Sequence, residues 1–373
     1  MAHAAVTVPF FMYEPSSFSM FNDCDRSRCP STKHCTALML VERLQTSVWR
    51  TADMRRAKVF VVPALIDWLS RGRCRSGDHL ANLTRTVRPH LARGRHVILA
   101  ADWNAIALSE QVRAALPGVS IGYHIHAPPC RIGLGYSTMY DVLRRDHPRD
   151  APPFPSPSAE RRPRLVEFVG QADSRGAYHD RVHLLSSRPR LPNTSVIVSP
   201  DSHDHRLNSH LPPCNRSGAL SRHYCRGTIP HAEVTRLRLE ADFSLMLRGD
   251  EPSSDRLQNA LAALQVVLIV GEANVGWLPF GHAVPWRRIV RVVPQAAFDR
   301  APTRAVMQVV RDAARGGTLF ELRQRIHSHL PDLLFGVQGS RIAENFVREA
   351  ALAADCPASW RPPSRLGSKP AHG

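Results

Sequence analysis

Five residues suited to holding an anion fall between positions 248 and 256: Arg248, Gly249, Ser253, Ser254 and Arg256. Arginine offers planar, paired N–H donors that match phosphate or carboxylate oxygens. Serine hydroxyls and a glycine add close approach and further donors. The flanking sequence says what must position them. Asp242 to Leu247 is a short apolar run, Arg248-Gly249-Asp250 reads as a turn, and Pro252-Ser253 opens a helix. Leu257, Ala260, Leu261 and Leu264 then recur at helical spacing, and Val266 to Val270 is an unbroken apolar run of the kind buried in a parallel sheet. The unit is strand, loop, helix, strand, with the loop feeding a helix N-terminus whose free N–H groups and positive dipole end suit a diphosphate. The same residues also fit an ordinary Ser-capped helix carrying surface arginines.

The block resembles the sugar-nucleotide-binding region of the exostosin family of glycosyltransferases, through Phe243, Leu245, Gly249-Asp250, Pro252-Ser253-Ser254, Arg256-Leu257, Ala260, Ile269, Leu278-Pro279-Phe280 and Trp286. Upstream segments match in the expected order: Phe11-Met12-Tyr13-Glu14, Ala57 to Pro63, Ala101-Asp102-Trp103, and Phe168-Val169-Gly170 with Arg175. The similarity runs from about residue 8 to 300. It implies a UDP-sugar-dependent transferase of inverting type, acting on a polysaccharide or glycoprotein glycan. Arg175, Arg248 and Arg256, with Gly249, Ser253 and Ser254, would receive the diphosphate, so no metal is expected to be obligatory. Asp102, just past a strand, is the candidate base, and a helix-capping role is its alternative. Asp250 would bind sugar hydroxyls or fix the turn through an Asx bond.

Several positions depart from the family pattern. Asn259 stands where a glutamate is expected to accept from the ribose hydroxyls; it can accept, without the charge. Leu264-Gln265, Val267, Pro285 and the region of Gln295 differ as well. Loss of acidic groups motivates a second reading, a catalytically degenerate homologue that binds glycans or partners without turnover.

The 373 residues suffice for two domains, and a hydrophobic share of 43% is that of a globular chain. A net charge of +17 raises a third reading, polyanion binding. The arginines are scattered, and no zinc-finger spacing, RNP-type motif or basic helix accompanies them, so nucleic acid is not the expected partner. Asp204 and His205, in a polar His-rich loop, could imitate a metal cluster, but a solvated loop is the expectation, and the same holds for His124 and His126. The eight cysteines contain no C-x-x-C pair. Cys24, Cys29, Cys35, Cys214 and Cys225 lie in loops and suit disulfides, without revealing their pairing. Sequons at Asn82, Asn193 and Asn215 point the same way, toward an oxidising lumen, and the resemblance to the exostosin family implies that of the Golgi. No apolar run approaches the ~20 residues of a membrane span, so the anchor usual among exostosin relatives is not seen. Oligomeric state is left open.

Alternation of strand-like and helix-like segments predicts an α/β fold: two Rossmann-like domains facing across a cleft, the glycosyltransferase-B arrangement. Strands are expected at 6–13, 58–62, 95–101, 119–123, 165–169, 195–198, 242–247, 266–270 and 288–293. Helices are expected at 36–50, 79–91, 178–187, 304–314, 319–329 and 342–353. The domains are an acceptor-side 1–147, a Pro-rich linker 148–160, a nucleotide-sugar-binding 161–355 and a flexible tail 356–373.

Overall fold

The computed structural model describes residues 7–27, 29, 32–70, 72–99, 106–122, 132, 135–149, 151, 153–158, 160–172, 178–198, 213–214, 224–227, 231–249, 255–315 and 317–353. They form two α/β units, each built on a wholly parallel sheet. The first comprises the described residues of Met1–Ala151 and Pro331–Pro362, the second those of Pro152–Leu330.

In the first unit, β1 (Phe10–Met12), β2 (Val59–Val62), β3 (Arg95–Leu99) and β4 (Ser120–Gly122) lie side by side in sequence order. Helices Thr32–Thr46, His79–Val87 and Ile106–Ala115 make the crossovers. All four residues of β2 are buried, as a strand covered on both faces requires. Asp78 caps the helix at His79, its carboxylate accepting from Ala81 N at 3.0 Å.

The second sheet has the order β10-β9-β8-β5-β6-β7, with β5 (Arg164–Gly170), β6 (Thr194–Val198), β7 (Tyr224–Arg226), β8 (Ala241–Met246), β9 (Val266–Val270) and β10 (Arg291–Val293). From β5 the chain steps outward to β6 and β7, then returns to the opposite side of β5 for β8, β9 and β10. Consecutive loops therefore diverge between β5 and β8, the topological switch point at which parallel sheets open a crevice beyond their carboxyl ends. The first sheet, in plain sequence order, has none. In register, Glu167 of β5 faces Ser244 of β8, and Val166 faces Phe243.

Each expected strand has a counterpart, with β5 and β6 running slightly beyond the expected bounds and β1 and β10 shorter than them. Two expectations need correction. The strand expected at 288–293 begins only at Arg291, because Trp286–Ile289 is a short helix pinned by Trp286 Nε1 donating to Pro279 O at 2.7 Å. The first long helix spans Thr32–Thr46 rather than 36–50, and residues 47–50 turn back to β1. Helices Ile106–Ala115, Met139–Asp146 and His231–Leu239 and the edge strand β7 stand beside the expected elements. The sequence division at 161–355 also differs from the packing. Helix Ile342–Leu352 buries Ile342, Phe346, Val347 and Ala350 within the first unit, where Arg95 Nη1 donates to Ala350 O at 3.2 Å.

Disulfides join Cys24 to Cys74, Cys29 to Cys35 and Cys214 to Cys225. Among the described residues no helix is long and apolar enough to cross a membrane.

Candidate functional site

The carboxyl edge of the second sheet at its switch point carries two glycines under two guanidinium groups. Gly170 ends β5, and Gly249 follows β8 by three residues. A Cβ on Gly170 would overlap Arg256 Nη2 and come within 3.2 Å of Phe168 Cζ; one on Gly249 would overlap Arg181 Nη2 and stand 3.0 Å from its Cζ. A side chain at either place would displace an arginine head group, so the two glycines leave room for the guanidinium groups beside the backbone.

Arg181 comes from the first turn of helix His179–Ser186, which links β5 to β6. Its Nη1 donates to Gln171 O at 2.5 Å and its Nη2 to Leu247 O at 3.3 Å, so one side chain fastens both diverging loops. Its guanidinium carbon lies 4.5 Å from the Tyr178 ring centroid and 5.7 Å from that of Phe168. Arg256 lies in the first turn of helix Asp255–Ala262, which links β8 to β9, and reaches back: Nε donates to Val169 O at 2.9 Å, with the guanidinium carbon 4.8 Å from the same Phe168 ring. Both cations thus lie against the same aromatic ring.

Arg256 is buried, at 8% exposure, and its Nη1 has no hydrogen-bond partner. Burial pulls its pKa below the ordinary guanidinium range, opposed by the charges of Asp255 and Glu167. A buried cationic donor left unmade costs about 1–3 kcal/mol or more, and an anion at the crevice would remove that cost. Glu167 does not supply it: this fully buried carboxylate accepts from Ser244 Oγ at 2.7 Å and lies 4.0 Å from Arg238 Nε.

Polar groups continue along the edge toward β10. Gln295, just after that strand, donates through Nε2 to Asp180 at 3.1 Å and to Asp299 at 2.9 Å. With both hydrogens committed, the amide cannot flip, and Oε1 is left as the acceptor beside Gly271, whose φ of 84° places it in the left-handed region. Asn274 Nδ2 closes this side by donating to Val270 O at 2.6 Å.

Of the residues anticipated from sequence, the fold brings Gly249, Arg248 and Arg256 to this edge, Arg248 half-buried in the loop. Asn259 is buried one turn into the helix, with Nδ2 donating to Asp255 O at 2.7 Å. Asp102, Arg175, Asp250, Ser253 and Ser254 lie outside the described residues, as do Asp204, His205, His124 and His126. Arg181, Gly170 and Gln295 complete the edge. Arg181 went unnoticed because His179-Asp180-Arg181 reads as a solvated helix start; the Gly at the end of Phe168-Val169-Gly170 was its available signal.

No family model matches the sequence, and no curated protein matches it. Among solved structures, the chain is similar to WaaG, a glycosyltransferase involved in lipopolysaccharide biosynthesis, with 11% identity, a TM-score of 0.39, and coverage of 91% of this chain and 98% of that one. It is also similar to a UDP-forming α,α-trehalose-phosphate synthase from Burkholderia xenovorans in complex with glucose-6-phosphate, with 13% identity, a TM-score of 0.39, and coverage of 84% and 81%. A third is Anabaena Alr3699/HepE in complex with UDP-glucose, with 12% identity, a TM-score of 0.36, and coverage of 83% and 82%. At scores this low the likenesses carry no weight of their own, and the functional reading rests on the residues of the chain itself.

Proposed function

We propose that the second unit binds the diphosphate of a UDP-sugar at the β5–β8 switch point, and that the protein is an exostosin-type glycosyltransferase. The observation that carries this reading is the buried Arg256 guanidinium, its Nη2 against Gly170 and its Nη1 without a hydrogen-bond partner, at the edge where parallel sheets bind ligands. Arg181 and Arg256 are preorganised by carbonyls and aromatic rings, so they can meet developing phosphate charge without rearranging.

In the reaction we infer, an acceptor hydroxyl oxygen attacks the anomeric carbon as the bond from that carbon to the phosphate oxygen breaks. The electron pair leaves with the diphosphate, and a carboxylate takes the hydroxyl proton. Asp102 is the candidate for that base, on resemblance alone. A single displacement of this kind inverts the anomeric centre. The diphosphate charge falls to Arg181 and Arg256, with Arg248, Arg175, Ser253 and Ser254 as further donors, and no obligatory metal enters the scheme. The acceptor would be a polysaccharide or glycoprotein glycan, and the compartment the Golgi lumen, in keeping with the disulfides.

A specific observation also favours the degenerate reading. Where the family carries acids, Asn259 and the region of Gln295 hold amides whose N–H groups donate internally, Asn259 to Asp255 O and Gln295 to Asp180 and Asp299, leaving neutral oxygens in place of carboxylates. Incubation with a UDP-sugar panel and a mixed glycan acceptor, followed by mass spectrometry, separates the two. The transferase reading expects one donor to yield UDP and an extended acceptor. Saturable UDP binding with no product from any donor would establish the degenerate homologue instead.

A further inference from the structure

The sequons of the chain meet different fates in the fold. Asn82 lies within helix His79–Val87, and its amide is occupied: Oδ1 accepts from Ser19 N at 2.9 Å and Nδ2 donates to Ser17 O at 3.4 Å. A sugar on that nitrogen would crowd the bracket that ties residues 17–19 to the helix. Asn193 is the opposite case. It stands exposed at the turn before β6, with φ at 47°, a left-handed value that asparagine tolerates. Its backbone is held, since Asn193 O accepts from Leu165 N at 2.8 Å, while its side chain takes part in no hydrogen bond. It also lies at the amino end of its strand, whereas the candidate site occupies the carboxyl edge.

We propose that Asn193 is an N-glycosylation site and that the folded protein carries no glycan at Asn82, because a chain modified there cannot form the bracket to Ser17 and Ser19. In this transfer the Asn193 amide nitrogen forms a bond to the anomeric carbon of a polyprenyl-diphosphate-linked oligosaccharide. The bond from that carbon to phosphate breaks, the lipid diphosphate leaves, and the amide proton passes to the oligosaccharyltransferase. The step belongs to the unfolded chain, because in the fold the Ser195 hydroxyl is buried and accepts from Arg164 Nη1 at 2.5 Å. The three cysteine pairings suit an oxidising compartment, where this chemistry operates. The inference is independent of the diphosphate reading.

The test is expression of the full chain behind a secretion leader in eukaryotic cells, with glycopeptide mapping of the membrane-enclosed and secreted fractions together. Reading both fractions means that retention does not hide the result. Asn193 is expected to carry a glycan and the Asn82 peptide to be bare. Asn193→Gln should remove one glycan from the intact mass, while Ser195→Thr, which keeps the sequon, should retain it. Mapping resolves each sequon separately, so modification at Asn215 cannot be mistaken for either. A bare Asn193 in chains holding the Cys214–Cys225 disulfide, or a glycan on Asn82 in those chains, would overturn the proposal.

Discussion

At the scale of single residues, the site is a contest for space between glycine backbone and guanidinium. Gly170→Ala pushes a methyl group into Arg256 Nη2, and the group that must yield is bonded to Val169 O and stacked on Phe168. Arg256 should move off the crevice, weakening UDP binding at least ~10-fold, while overpacking costs about 1–3 kcal/mol of stability. Calorimetric titration beside a urea melt checks both; full affinity in the variant would mean that Arg256 does not face the ligand. Arg256 and Gly249 were legible because they lie in one recognisable segment. Arg181 was not, because its role depends on two loops, after β5 and after β8, that only the folded sheet brings together.

At the scale of elements, strand assignment succeeded wherever an apolar run is buried on both faces, as in β2, β6, β8 and β9. It failed where local chemistry overrides pattern: Trp286 bonding Pro279 O makes a helical turn of residues that read as strand. Asp242, at the start of β8, shows how polar groups set these elements in place. Its carboxylate accepts from Arg323 Nη2 and from Arg162 N at 3.2 Å, and Arg323 Nη1 donates to Ser158 O at 2.7 Å and Glu160 O at 2.8 Å. Arg323 and Asp242 are 1% and 2% exposed, so removing Arg323 leaves a buried carboxylate held only by Arg161 Nη1 at 3.2 Å and Arg162 N. Arg323→Met is expected to cost roughly 3–5 kcal/mol, read as a lowered urea midpoint with unchanged m-value. A loss below about 1 kcal/mol would contradict the assignment.

At the scale of the whole molecule, the charge of +17 is in part structural. Arg95, Arg144, Arg162, Arg181, Arg256 and Arg323 each donate to backbone carbonyls, a use that polyanion binding would not require. Stability should nonetheless depend on pH through one buried pair in the first unit. His96 Nδ1 faces Gly94 O at 2.9 Å and so carries its proton, leaving Nε2 to accept from Tyr13 Oη at 2.8 Å. Burial lowers the His96 pKa and raises that of Tyr13 to about 12. The unfolded chain binds more protons on histidine below pH ~6.5, and fewer on tyrosine above pH ~10. Folding stability should therefore be fullest between those values, falling as pH drops below the first or rises past the second. Urea melts across pH check this, with Tyr13→Phe expected to flatten the alkaline limb. The central claim, that a diphosphate completes the β5–β8 edge, is tested most directly by titrating UDP calorimetrically into the native chain and into Arg256→Met, with and without Mn²⁺. Methionine keeps much of the packing and removes the unpaired donor. The account predicts saturable, metal-independent binding in the native chain, weakened at least ~10-fold in a variant that melts like it; no binding to the folded native chain, or equal binding to both, would contradict it.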